Sequence, residues 1–175
     1  MDMTFKDTST QGAAWGAVLA MSLCVAMLIA SEFMPVSLLT PMAEGLGATT
    51  GQTGQAISIS GLFAVTASLL ITTVAGTLNR KGVLLGITAL MLVSLVLVAL
   101  APNFTVLIIG RALLGLCIGG FWALATAVIM RLVPADDVPR ALALMYGGQA
   151  IAAAFAAPLG SYLGGLFGWR EVFWA

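Results

Sequence analysis

The chain has 175 residues, of which 61% are hydrophobic and only 8% charged, with zero formal net charge and a mean hydropathy of +1.09. A soluble domain carries roughly 25% charged residues, so too little polar surface exists here to cover a water-facing fold, and lipid is the implied solvent. The balanced charge argues against the basic stripe that nucleic-acid binding requires, and no nucleic-acid partner is expected.

Taken in chain order, residues 1–12 form a polar tail of mixed charge. A cleavable secretory signal needs a basic start, a short apolar stretch and a small-residue cleavage site. The apolar run that follows is too long for that and reads as a retained first span. Crossing a hydrocarbon core takes about 20 mostly apolar residues. The chain predicts spans at 13–40 (interrupted by Glu32), 55–78 (after the turn GLGATTGQTG), 83–101, 104–132 (interrupted by Arg111) and 141–167. WREVFWA opens a sixth at 169. Barrel strands alternate and run about ten residues, whereas these runs are long and continuous. The expected fold is therefore an all-α polytopic helical bundle over 13–175.

The stretch after 169 is too short to cross a bilayer, so the chain is expected to lack further helices of a longer protein. Lys6, Arg80, Lys81, Arg131 and Arg140 fall on one side of the membrane and Arg170 on the other. The excess of cations predicts a cytoplasmic N-terminus. Cys24 and Cys117 lie in apolar runs and read as small buried side chains, without a bridge or a metal. There is no histidine, and no nucleophile–base pair or metal cluster stands at workable spacing, so neither an enzyme nor a cofactor is expected.

Two ionisable residues inside spans are functional candidates, because a charge within hydrocarbon is expensive unless partnered. Glu32 lies roughly 13 Å below the outer end of the first span and Arg111 roughly 10 Å below that of the fourth, at ~1.5 Å per residue. The two helices run antiparallel, so the opposite charges are expected to face each other or a shared wet cavity. Burial disfavours an ionised carboxylate and a neighbouring guanidinium favours it. Movement of Arg111 would then switch Glu32 as a proton carrier. The alternative is a fixed ion pair that locks the first helix to the fourth.

The fourth span contains Gly115 and Gly119, a small-xxx-small pair that admits another helix. Trp122 stands eleven residues beyond Arg111 on the same face, where its ring suits stacking on a planar solute; packing or lipid contact is the plainer role. In the fifth span Ala152, Ala156, Gly160 and Gly164 form a ridge for close packing. Pro158 removes a backbone hydrogen bond and bends that helix, which suits a rocking interface. Gln149 is a mid-helix amide available to a solute or to a neighbouring helix. Pro35 and Pro41 free the carbonyls of Ser31 and Ser37 in the first span.

The segments GTLNRKGVLLG, IIGRALLGLCIGG and AAPLGSYLGGLFGWREVFW together resemble signatures of the major facilitator superfamily, in its drug/proton antiporter branch. SEFMPVSLLTPMAEGLG and GRALLGLCIGGFWALATAVIMRLVP are similar to bacterial purine ribonucleoside efflux pumps. The first segment matches the family's cytoplasmic loop, placing Asn79, Arg80 and Lys81 in conformational gating, although Asn79 replaces the usual acid. The second assigns Arg111 to proton coupling, and in the third Ala157 replaces a usual glycine. The resemblance implies a twelve-helix inner-membrane antiporter that rocks two halves about a midplane site and exports inosine- or guanosine-like solutes against protons. Sugar or multidrug export, or a non-transporting scaffold, are the rival readings.

Overall fold

The computed structural model describes residues 14–74 and 79–174. The expected tail at 1–12, with Lys6, and the end of the second predicted span at 75–78 lie outside the described residues. Every regular element among those described is helical: α1 (Trp15–Ser37), α2 (Leu39–Leu46), α3 (Thr50–Val74), α4 (Arg80–Ala99), α5 (Phe104–Leu132) and α6 (Val138–Phe167). Short 3₁₀ turns cover Ala135–Asp137 and Glu171–Phe173. Five of the helices are long and apolar enough to span a membrane.

The ends of these helices differ from the hydropathy boundaries because capping groups extend or divide the apolar runs. The expected single helix at 13–40 divides at Leu38, whose φ/ψ of −107°/8° leaves the helical region. Pro35 and Pro41 each remove a backbone donor there, and the Leu38 N–H bonds the Pro35 carbonyl instead. The second helix begins at Thr50 and not at 55. Thr49 Oγ1 accepts from the Gln52 N–H at 3.1 Å while Gln52 Oε1 accepts from the Thr49 N–H at 2.9 Å. This reciprocal cap turns what reads as a loop into a helix start. Asn79 starts α4 at Arg80 rather than 83 by accepting from the Lys81 N–H, and Asn103 caps α5 through the Val106 N–H. Pro139, in the first turn of α6, suits a helix start. After α6 the chain turns at Gly168, where φ is +95°. The expected sixth helix appears among the described residues only as the 3₁₀ turn.

The bundle is built from α3 along α5, α1 along α6 and α4 along α5, with α1 also touching α5. Call the end where α1 begins the near end and the other the far end. Val18, Val25, Leu28, Phe121, Ile129 and Met145 form one apolar core. Leu38, Met42, Val98, Leu107, Trp169 and Val172 form another at the far end. Large apolar side chains such as Leu62, Leu69, Leu70, Ile151, Phe155 and Tyr162 are exposed. Such a surface suits hydrocarbon and would be a liability in water. The chain is a multi-pass membrane bundle.

At the far end, Trp169 is buried and its ring carries the Arg170 guanidinium 4.1 Å above the centroid. Arg170 Nη2 donates to the Ala101 carbonyl at 2.9 Å. The segment after α6 is thereby strapped across the end of α4.

Candidate functional site

Between α1, α3 and α5 an ion pair sits within the apolar bundle. Arg111 is 1% exposed and Glu32 20%, and Arg111 Nη2 donates to Glu32 Oε2 at 2.9 Å. The opposite charges do face each other across antiparallel helices. A fork of five donors asks for several acceptors, and three more are supplied. Nη2 also reaches Ser60 Oγ at 3.1 Å, Nη1 reaches the Ser31 carbonyl at 3.1 Å, and Nε makes a long contact of 3.5 Å to the Ala56 carbonyl. Ser60 Oγ lies 2.6 Å from the other carboxylate oxygen of Glu32.

Local sequence explains each position. Pro35 lacks the N–H that would have bonded the Ser31 carbonyl, and that carbonyl is the one Arg111 takes. Gly110, beside the arginine, faces α4: a Cβ there would meet Val98 Cγ2 at 2.8 Å, and its carbonyl accepts from Ser94 Oγ at 2.8 Å. The Gly110–Arg111 pair therefore presents a smooth face to one helix and a charge to two others. Gly115 and Gly119 lie against the α3 main chain, where a Cβ on either would run into the carbonyl of Ser60 or Ala64. That close approach brings Ser60 to the ion pair.

The other sequence-predicted residues fall elsewhere. Trp122 stacks on Tyr146 of α6, with ring centroids 5.9 Å apart and an interplanar angle of 15°. Gln149 is half-buried one turn beyond Tyr146. Among the described residues no hydrogen bond joins Trp122 or Gln149 to the ion pair. Gly148 of α6 neighbours Ser22, so this aromatic shelf sits roughly 15 Å nearer the near end than Glu32, ten residues at ~1.5 Å each. Gly160 faces Ser37 Oγ and the Met34 carbonyl, and Gly164 faces Leu38 Cδ2, so both serve the α1–α6 seam. Pro158 is exposed within α6. Asn79 is the α4 cap, Arg80 is half-buried, and Lys81 is exposed.

Lys81 also lines a groove of about 430 Å³ near the near end, with Ala17, Cys24, Leu84, Phe121 and Val128. Its walls are almost wholly apolar and offer little to orient a polar solute. Among the described residues, Glu32 and Arg111 are the charged side chains that lie away from the helix ends.

Sequence reasoning missed Ser60 and Tyr146. Ala56, Ser60, Ala64 and Ser68 recur every four residues, the same spacing as the glycine pair they face, so the α3 ridge was readable. Tyr146 stands three residues from Gln149, on the same helical face.

Residues 21–175 match the Major Facilitator Superfamily. The chain is 58% identical over 170 residues to the Transcription regulatory protein OpdE of Pseudomonas aeruginosa, covering 97% of this chain and 42% of that protein. It is 48% identical over 159 residues to the Purine ribonucleoside efflux pump NepI of Salmonella typhimurium, covering 91% of this chain and 40% of the pump. The same figures hold for that pump from Salmonella paratyphi B. The chain thus spans about two fifths of the length of these curated relatives.

Proposed function

The chain belongs to the Major Facilitator Superfamily, and from that premise we propose that it forms most of the N-terminal half of a proton-driven exporter of purine ribonucleosides. The observation that carries this reading is the Glu32–Arg111 pair, a carboxylate and a guanidinium held within an apolar bundle. Intramembrane charges mark solute and proton pathways. Glu32 retains partial exposure, which gives a proton access, while Arg111 is enclosed and holds the countercharge. A proton on Glu32 weakens its attraction to Arg111, and the α1–α5 contact relaxes accordingly.

Trp122 and Tyr146 supply aromatic faces and Gln149 an amide, a combination suited to a planar base and its polar edge. Purine ribonucleosides are favoured as solute by the likeness to NepI. Remaining helices of the longer protein would supply the second half of an alternating-access pair. The cations Arg80, Lys81, Arg131 and Arg140 gather at the near end, which supports a cytoplasmic near end in a bacterial inner membrane.

A second reading draws on the likeness to OpdE, whose name assigns it to transcriptional regulation: a membrane protein of this fold whose output is not flux. Everted vesicles carrying the full-length protein separate the two. Expected is uptake of inosine or guanosine that collapses with the proton gradient and is lost in Glu32→Gln. Uptake of sugars or cationic drugs instead would replace the substrate, gradient-independent flux would replace the coupling, and absence of flux for every solute class would favour the second reading.

A further inference from the structure

Ser60 has no exposed surface. Its Oγ lies 2.6 Å from Glu32 Oε1, 3.1 Å from Arg111 Nη2 and 2.8 Å from the Ile57 carbonyl. A hydroxyl has one proton and two acceptor lone pairs. Arg111 only donates, so it occupies one lone pair. With Glu32 ionised, the carboxylate and the Ile57 carbonyl are both acceptors and compete for the single hydroxyl proton. The 2.6 Å separation is the length of a charge-assisted bond, and the proton goes to Glu32.

When Glu32 itself takes a proton from water, its carboxyl O–H becomes a donor. Ser60 then accepts on its second lone pair and turns its own proton to Ile57. The hydroxyl proton never leaves Ser60; only the proton taken up by Glu32 enters or leaves the site. Each polar atom keeps a partner in both states, and an unpartnered one within the bundle would be costly.

We propose that Ser60 is a positioning residue of the proton site, whose hydroxyl rotates between Glu32 and the Ile57 carbonyl so that either form of the carboxyl group is hydrogen-bonded. The inference rests on the reading of Glu32 as the proton carrier. The charged group facing Glu32 is Arg111 from α5; α3 carries none from Thr50 to Ile71. In α4 and α6 the charged residues Arg80, Lys81 and Arg140 stand at the near end, and Glu44 of α2 is exposed. Arg170, beyond α6, is bonded to the Ala101 carbonyl.

The test is isotope-edited infrared difference spectroscopy on the full-length protein in liposomes, with ¹³C=O isoleucine and an Ile57→Val variant to assign the Ile57 band. Acidification is expected to lower the Ile57 carbonyl frequency in the wild type, and Ser60→Ala is expected to abolish that shift. The pH dependence of transport in Ser60→Ala should differ from that of the wild type, because the ionised form loses its donor. Ser60→Thr, which keeps the hydroxyl, should restore both readouts. A still Ile57 band in the wild type overturns the proposal without recourse to any Ser60 variant, as does a Ser60→Ala protein that titrates like the wild type. If Glu32→Gln retains proton-dependent transport, the proton-carrier reading falls and Ser60's role with it. If Glu32→Gln abolishes that dependence while the Ile57 band stays still, the role of Ser60 alone falls.

Discussion

The two main helix seams use the same small-residue spacing and reach opposite physical results. In the α3–α5 seam, Gly115 and Gly119 meet the carbonyls of Ser60 and Ala64, main chain against main chain. In the α1–α6 seam, Gly160 meets Ser37 Oγ first, with the Met34 carbonyl at 3.3 Å, and Gly164 meets the end of the Leu38 side chain. Backbone cannot step aside without moving a helix, whereas a leucine tip can rotate. The motif states that helices come close; the opposing atoms decide whether the contact is rigid or compliant. Arg111 belongs to the rigid seam and from there reaches Glu32 of α1.

The sharpest way to break this contrast is to remove the charge that the rigid seam encloses. Arg111→Ala should cost about 3–5 kcal/mol in a denaturant titration of the detergent-solubilised protein, since a carboxylate is left unpaired. Glu32→Gln combined with Arg111→Gln should cost clearly less than the sum of the single variants, and simple additivity would count against a direct interaction. Next in size, Gly115→Ala and Gly119→Ala should each cost about 1–3 kcal/mol or more by overpacking. On the compliant seam, Gly160→Ala should cost roughly 1 kcal/mol, because Met34 main-chain atoms also stand close. Gly164→Ala is the smallest effect, within about 0.5 kcal/mol, since Leu38 moves and alanine favours a helix. If the Gly164 and Gly115 variants lose equal stability, the distinction between the seams is wrong.

Hydropathy alone made the five spans legible, because a backbone in lipid has few ways to satisfy its polar groups other than as helices. Their ends were less so. Thr49–Gln52 and Asn79 are polar residues that hydropathy assigns to loops, yet their side chains bond the first free N–H groups and lengthen the helices. The facing of Glu32 and Arg111 was readable because depth along a helix follows from counting residues. Ser60 was not read out, because a serine within a span carries no charge to draw notice, and its importance depends on which helix lies opposite. The partner of Trp122 was likewise hidden: stacking on Tyr146 depends on the rotation of α5 against α6, which hydropathy does not encode.

The proline in α1 has a consequence for electrical balance. Two anchors of Arg111, the Ser31 oxygen that Pro35 leaves open and the Ala56 oxygen, are amide dipoles that do not titrate over physiological pH. These two contacts do not depend on the charge of Glu32, so part of the hydrogen bonding of the guanidinium is independent of the proton on its carboxylate partner. Under the proposed reading, a proton arriving on Glu32 changes the local sum from zero to plus one. Under that same reading, the occupancy of the site would respond to membrane voltage as well as to acidity.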